Sequence, residues 1–201
     1  PAWQTIGPSA IPINNSSPVP KEMTVEDINK VREDFKKAAQ RADKAGFDII
    51  EIHGAHGYLL HSFFSPLSNQ RNDQYGGSFE NRIRFALEII ADIKSVWPDN
   101  KPLFYRLSSI DAPGQGANLE DNIKLAKSLK SVGVDVIDCS SGGITGSPVL
   151  TKSKIIPGFQ VPYSEKIKKD AEISSMAVGA IISAVQANEI ISNKRADLVA
   201  M

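Results

Sequence analysis

The 201-residue chain has the size and composition of one globular domain with a real core, since 41% of its residues are hydrophobic. Its 23 basic and 23 acidic residues cancel and form no basic stripe, which argues against nucleic-acid partners. No stretch approaches the ~20 apolar residues of a membrane span, so no membrane partner is expected. The single cysteine, Cys139, excludes an internal disulfide framework and is typical of a reducing compartment such as the cytoplasm.

Helices and strands alternate along the chain, separated by loops predicted at 1–23 and 53–77. Apolar residues at helical spacing, bounded by N-cap residues and by Gly or Pro stops, predict helices at 24–46, 78–98, 118–133, 164–171 and 183–193. Short apolar runs predict strands at 47–52, 103–107, 134–139, 177–182 and 197–201. The first of these runs has the composition of a strand buried on both faces. The chain is therefore predicted to be an α/β protein.

One motif recurs at three of the predicted strands. The segments G-F-D-I-I-E-I at 46, G-V-D-V-I-D-C at 133 and R-A-D-L-V-A-M at 195 each combine a helix stop, an Asp and a strand. This repetition predicts right-handed βαβ units around a parallel sheet. The sheet could be open and doubly wound or part of an eight-stranded barrel. No G-x-G-x-x-G motif follows a strand, which weakens the dinucleotide-binding form of the first alternative.

Five strands fall short of the eight strands and ~250 residues of a complete barrel. On the barrel interpretation the first three βα units would precede the residues given. Residues 1–201 are then expected to form a single partial domain of a longer chain, with the free edge of the strand at 47–52 exposed.

The strand at 47–52 leads directly into a polar cluster of His53, His56 and Tyr58. Active sites of α/β folds lie at such strand ends. Two imidazoles could donate hydrogen bonds to one carbonyl oxygen, and the tyrosine hydroxyl could supply a proton. In the alternative, structural interpretation, one histidine caps the strand and the other is exposed. A zinc site with His61 as third ligand is disfavoured, because the spacing differs from that of a helical H-E-x-x-H motif.

Arg106 is a second candidate, because its guanidinium interrupts the apolar strand L-F-Y-R-L. A buried guanidinium needs a partner, so Arg106 is expected either to pair with an acid such as Glu51 or to face an anionic ligand. The Gly- and Ser-rich segment 139–143 could offer backbone amides to a phosphate or ribityl chain, although a plain tight turn fits equally well. Cys139 has no histidine placed to activate it as a nucleophile.

These candidates lie in a sequence that resembles the Old Yellow Enzyme family of FMN-dependent ene-reductases, and within it the bacterial NADPH-dehydrogenase branch. The resemblance covers nearly the whole chain. Its motifs are G-P-S-A-I-P at 7–12, the block from 45 to 82 that contains H-G-A-H-G-Y-L-L-H-S-F-F-S-P-L-S-N-Q-R-N-D-Q-Y-G-G-S, then V-G-V-D-V-I-D-C-S-S-G and P-G-F-Q-V-P-Y. The resemblance implies a (β/α)8 TIM barrel, of which this chain would supply the fourth to eighth strands.

The resemblance also implies roles for single residues. His53 and His56 would bind the carbonyl or nitro oxygen of the substrate, and Tyr58 would protonate its α-carbon. Arg106 would lie beside the N1 and O2 edge of the flavin. Hydride would pass from NAD(P)H to FMN, and then to the β-carbon of an activated alkene such as an enone, an enal or a nitroalkene.

The cofactor's phosphate site departs from the family pattern. Ala184 stands where the family has glycine, with Ser183 beside it as a further candidate for cofactor contact, and residues 1–201 end before the Gly-Arg of the eighth strand. Ser140, after the strand at 134–139, is a further candidate for contact with the cofactor. Without the N-terminal strands, FMN is expected to bind weakly or not at all. A second interpretation therefore stays open: a non-catalytic part of a barrel that associates with itself or with a complementary half.

Overall fold

The computed structural model describes residues 3–145 and 155–201. In these ranges the helices are α1 (Val25–Lys44), α2 (Leu59–Phe64), α3 (Phe79–Lys94), α4 (Leu119–Ser131), α5 (Val161–Ala171) and α6 (Ala184–Ser192). The strands are β1 (Ile6–Gly7), β2 (Lys21–Glu22), β3 (Ile50–Gly54), β4 (Leu103–Ser108), β5 (Val136–Ser140), β6 (Ser174–Ala177) and β7 (Leu198–Val199). None of these helices is long and apolar enough to cross a lipid bilayer.

Strands β3 to β7 form one parallel sheet in which each strand pairs with its neighbours in sequence. A doubly wound sheet reverses its strand order at a switch point, and this sheet shows no reversal. Its helices therefore follow one another along one side, as they do in a (β/α)8 barrel. Among the described residues β3 pairs only with β4, so its other edge is open, as the partial-barrel prediction requires.

The two faces of the sheet carry different residues. The outer face packs on the helices through buried side chains such as Tyr105 and Ile137. Residues that alternate with these point to the inner face, because successive side chains of a strand lie on opposite sides. The strand register aligns His53 with Arg106, and Arg106 with Asp138. Three polar side chains thus form a row across the inner face.

The opening strand is shorter and less buried than predicted. It begins at Ile50 rather than at residue 47, and of its residues only Ile52 and Gly54 are buried. Phe47 and Ile49, just ahead of it, are 59% and 47% exposed. The prediction of a strand covered on both faces is wrong, because an apolar run does not reveal whether the inner face has a partner.

The strand predicted at 177–182 is also wrong, since β6 ends at Ala177. The residues after it form a loop in which Gly179 and Ala180 have positive φ angles of 121° and 53°. Two adjacent serines in β6 are residues typical of turns, and they hide the strand in the sequence. Ser183 then caps α6 as predicted.

The long connection after β3 contains the unpredicted helix α2, whose six residues are too few to show a helical period. Further along this connection, the buried side chain of Arg71 holds the N-terminal segment 3–23 in place. Its Nη1 donates to the carbonyl oxygens of Pro8 (3.0 Å) and Met23 (2.6 Å), while its Nε donates to Asp73 (3.0 Å). These contacts bring the N-terminal segment beside the end of β3.

Candidate active site

The chain turns sharply where β3 ends. His56 and Gly57 adopt left-handed φ angles of 59° and 77°, and the amide of Tyr58 closes the turn by donating to the carbonyl of Ala55 (3.1 Å). A Cβ added to Gly57 would lie 2.6 Å from the carbonyl oxygen of Gly143, closer than side chains are found. The turn after β3 therefore packs backbone against backbone on the loop after β5.

This turn brings three of the predicted site residues together. The ring of His53 contacts the rings of both His56 and Tyr58 edge-on, with centroids 5.2 Å apart in each pair. Tyr58 is 64% exposed, so its side chain is accessible to a ligand. The cluster thus combines two imidazoles and a phenol at one strand end.

Hydrogen bonds from two neighbouring strands fix His56. Its backbone amide donates to Oγ of Ser108 at the end of β4 (3.0 Å), and that hydroxyl donates to the carbonyl of Gly142 (2.7 Å). Its ring Nε2 lies 2.6 Å from Oγ of Ser140 at the end of β5. Burial, assisted by the charge of Arg106, lowers the pKa of His56 to about 4. The ring is therefore neutral at pH 7.

The tautomer of His53 follows from one contact. The amide of Ala55 donates to its Nδ1 (3.3 Å), so the proton of the neutral ring is on Nε2. Burial, followed by the charge of Arg106, lowers the pKa of His53. The Nε2–H of His53 has no hydrogen-bond acceptor among the described residues, and it is therefore available to a ligand.

Arg106 contacts a different acid from the one predicted. Its Nε lies 3.1 Å from Oδ2 of Asp138, because the register of β4 and β5 places Asp138 directly opposite; the predicted pairing with Glu51 is wrong. Despite this short distance, Nε of Arg106 has no hydrogen-bond partner within 3–145 and 155–201, so the contact is poorly aligned. The other carboxylate oxygen of Asp138, Oδ1, also lacks a partner in these ranges. The guanidinium therefore retains hydrogen-bonding capacity for a ligand.

Glu51 is a second acid on the same inner face. Burial, followed by the nearby charge of Asp138, raises its pKa to about 7, against an opposing effect of Arg106. Folding thus raises this pKa above the value of 4.5 for a free side chain. The protonated carboxyl group of Glu51 therefore contributes its full stability to the folded protein below pH 4.5, and this contribution is lost as the pH rises through 7.

We expect Glu51→Gln to raise the melting temperature at pH 8 and to leave it nearly unchanged at pH 4.5. The expected gain is about 2–4 °C, or roughly 1 kcal/mol after allowance for solvent screening at this partly exposed position. Thermal unfolding at both pH values measures it. Glu172→Gln, at an exposed position after α5, controls for the loss of one acid. Equal gains in melting temperature at the two pH values would show that the effect comes from packing rather than from the ionisation of Glu51.

The other predicted cofactor residues lie further along the sheet. Ser140 contacts His56, and in its loop the amide of Gly142 already donates to the carbonyl of Ile110 (2.8 Å). Ser183 and Ala184 lie at the exposed N-terminus of α6, beyond β6. No hydrogen bond in the described part of the chain connects these two residues to the histidine cluster.

A buried polar cluster next to the turn was not predicted. The ring of His61, on α2, lies between the amide of Gly57 (2.9 Å) and the carboxylate of Asp111 (2.7 Å). Both ring nitrogens are engaged, which leaves none for a metal ion. The residues that the structure describes contain no group of three or more His, Cys, Asp or Glu side chains arranged to hold one.

A cleft of about 750 Å³ opens beside Tyr58. Its walls are the N-terminal segment, the turn after β3 and α2, and its size is that of sites for small organic ligands. The aliphatic side chains that line it are Ile6, Ile11, Ile13, Leu59, Leu67 and Ile144. The cleft therefore offers an apolar surface next to the exposed tyrosine.

The model of the NADH:flavin oxidoreductase / NADH oxidase family matches residues 4–201, and the chain belongs to this family. Among curated relatives, it is 50% identical over 192 residues to the NADPH dehydrogenase of Bacillus velezensis and 48% identical to that of Bacillus subtilis. The first alignment covers 96% of this chain and 55% of the relative, and so does the second. The chain thus spans about half the length of the curated relatives it matches.

Solved structures share the same fold. A 2-naphthoyl-CoA reductase in complex with 2-naphthoyl-CoA superposes with a TM-score of 0.89 at 26% identity, over 98% of this chain and 30% of that one. Morphinone reductase superposes with a TM-score of 0.79 at 26% identity, over 98% of this chain and 55% of that one. The predicted family and the predicted partial (β/α)8 barrel are both confirmed.

Proposed function

We propose that this protein is an FMN-dependent oxidoreductase that uses NAD(P)H to reduce activated alkenes. The observation that carries the proposal is the cluster of His53, His56 and Tyr58 at the end of β3, with Arg106 on the adjacent strand. Family membership supports flavin chemistry, and the similarity to NADPH dehydrogenases supports a nicotinamide as the reductant.

The two histidines are suited to binding a carbonyl or nitro oxygen. His53 offers its Nε2–H, and His56 offers an Nδ1–H when the hydroxyl of Ser140 donates to its Nε2. Neutral imidazoles donate hydrogen bonds without surrendering a proton, so they stabilise negative charge that develops on the oxygen. Each donor of this kind is worth about 2.7–4 kcal/mol in the transition state.

Tyr58 is the proposed general acid that protonates the α-carbon. Its ring is held edge-on against His53 while most of its surface stays exposed. The apolar cleft beside it would receive the hydrocarbon part of an enone, enal or nitroalkene. The binding of oxygen and the delivery of the proton are thus assigned to adjacent groups.

The inner face fits the polar edge of a flavin. Arg106 carries a buried Nε without a hydrogen-bond partner in the described ranges, and its charge would stabilise an anionic ring edge. Bound FMN would supply hydride transfer from NAD(P)H to the β-carbon. Ser140 is the proposed contact of the ribityl chain. Ser183 caps α6 and Ala184 is its first residue, and the dipole at this N-terminus favours a phosphate.

A second interpretation, a non-catalytic partial barrel that folds by association, is favoured by the edge of β3 that has no partner strand among the described residues. An unpaired strand edge can pair with another chain, and Phe47 and Ile49 beside it are exposed. On this interpretation the protein forms homo-oligomers or binds a complementary half-barrel and holds no flavin. For both interpretations the cytoplasm is the proposed location, because the only cysteine is a buried free thiol.

Visible absorption spectroscopy of the purified native protein distinguishes the two interpretations. We expect the two absorption bands of oxidised flavin, bleaching of both bands by NADPH without oxygen, and their return when an enone is added. NADH in a parallel titration shows which nicotinamide is preferred. A colourless protein that binds no added FMN and sediments as an oligomer would contradict the enzymatic proposal and favour association.

A further inference from the structure

We propose that His61 and Asp111 are positioning residues that hold the amide of Gly57 and thereby orient His56 and Tyr58 toward the substrate. The inference rests on the proposed function, because it concerns the geometry of the same site. Among the described residues, no hydrogen bond connects the side chain of either His61 or Asp111 to the rings of His53, His56 or Tyr58. Their effect passes through the backbone of one turn.

The geometry determines the protonation of the His61 ring. Its Nδ1 accepts the amide proton of Gly57 at 2.9 Å, so Nδ1 carries no proton. In the neutral ring Nε2 then carries the proton and donates it to Oδ1 of Asp111 at 2.7 Å. The side chains of His61 and Asp111 are 1% and 0% exposed, so water does not compete for these hydrogen bonds.

Asp111 is itself held from a second direction. Its Oδ2 accepts hydrogen bonds from Oγ of Ser65, at the end of α2 (2.5 Å), and from the amide of Ala117, ahead of α4 (2.7 Å). The carboxylate therefore connects the loop after β4 to α2. A buried carboxylate with its oxygens satisfied in this way is a rigid acceptor for His61.

The amides of three consecutive residues in the turn are each held by a different acceptor. The amide of His56 donates to Ser108, that of Gly57 to His61, and that of Tyr58 to the carbonyl of Ala55. Of these three amides, only that of Gly57 is bound by a side chain that a buried carboxylate holds in place, since His61 is itself bound by Asp111. Because Tyr58 is largely exposed, the position of its ring follows the backbone. A displacement of about 1 Å at a reacting group can cost ~10²-fold in rate.

Two substitutions at position 61 separate the two hydrogen bonds. In His61→Asn the side-chain oxygen can replace Nδ1 as acceptor for Gly57, but the side chain is too short to reach Asp111. In His61→Gln the amide nitrogen can replace Nε2 as donor to Asp111, while the acceptor for Gly57 is lost. Both variants remove the ring, so they share the loss of its packing and differ from each other by one methylene group.

In the native, flavin-loaded protein we expect His61→Gln to slow enone reduction by ~10²-fold and His61→Asn to slow it by less than tenfold. Flavin reduction by NADPH should stay unchanged in both variants. Stopped-flow measurement of the two half-reactions provides these rates. Equal losses of enone reduction in the two variants, or parallel losses in both half-reactions, would show a structural role and overturn the inference.

NMR tests the geometry without any turnover. In ¹⁵N-labelled protein, the imidazole signals of His61 should show a protonated Nε2 and an unprotonated Nδ1, as its two hydrogen bonds require. The amide of Gly57 should exchange slowly with solvent, and faster in His61→Gln than in His61→Asn. A protonated Nδ1, or equal exchange in the two variants, overturns the positioning role even if enone reduction is intact. If the NMR pattern is as expected but the protein does not reduce an enone, the proposed function is wrong, and so is the expected effect of His61 on the rate of enone reduction.

Discussion

Tyr58→Phe is expected to slow reduction of an enone by ~10²–10⁴-fold, the range of a general acid, and to spare reduction of the flavin by NADPH. The substitution removes one hydroxyl from an exposed ring, so the contact with His53 and the turn after β3 should persist. Only the step that needs a proton at the α-carbon is then affected. Stopped-flow absorbance with separate reductive and oxidative half-reactions measures the difference.

The matched control is Tyr163→Phe. Tyr163 lies on α5 rather than at the end of β3, and its loss should change neither half-reaction. If Tyr58→Phe slowed both half-reactions equally, Tyr58 would be acting in flavin or nicotinamide binding and not as the acid. Full activity of Tyr58→Phe would exclude it from the proton transfer altogether.

Removal of either histidine of the cluster is expected to have the second large effect. His53→Ala and His56→Ala should each lower the rate of enone reduction by ~10²–10³-fold, which corresponds to about 2.7–4 kcal/mol for a lost donor to the oxygen. The affinity for the enone should also fall, so that a higher enone concentration is needed to saturate the rate. His53 is the cleaner site to change, because in the described part of the chain its side chain makes one hydrogen bond, from the neighbouring amide of Ala55.

The double variant shows whether the two histidines serve one oxygen. Donors to a shared acceptor are coupled, so the loss in the double variant should differ from the sum of the single losses by more than 0.5 kcal/mol. Ser140→Ala should lower the rate less than either histidine substitution, because it removes the partner of His56 Nε2 but leaves both imidazole rings in place. Strictly additive losses would indicate that His53 and His56 bind different groups, and unchanged rates would remove both from the site.

Much of this fold can be predicted from local patterns. The helix at 24–46 was predicted from an N-cap, an apolar stripe and a stop, and α1 is capped at Thr24. Strand β6 was misplaced because its residues resemble a turn and its pairing with β5 is not a local property. The coverage of β3 depends on what lies against its inner face, which a strand's own sequence does not contain.

The site was predicted unevenly for a similar reason. His53, His56 and Tyr58 are close in sequence, so one turn brings them together. The partner of Arg106 depends on the register between two strands, and the sequence gives no preference for Asp138 over Glu51. His61 and Asp111 are 50 positions apart, and the contact of His56 with Ser140 spans 84. These distant partners become visible only once the sheet is assembled.

The close contact between Gly57 and Gly143 restricts how the substrate range of this protein can be engineered. Any side chain at position 57 would press on the carbonyl of Gly143, and the resulting shift would reach Tyr58, the next residue. Mutant libraries aimed at new selectivity should therefore keep both glycines constant. The side chains of Ile11 and Leu67 in the cleft wall are partly exposed, so diversity is better introduced there.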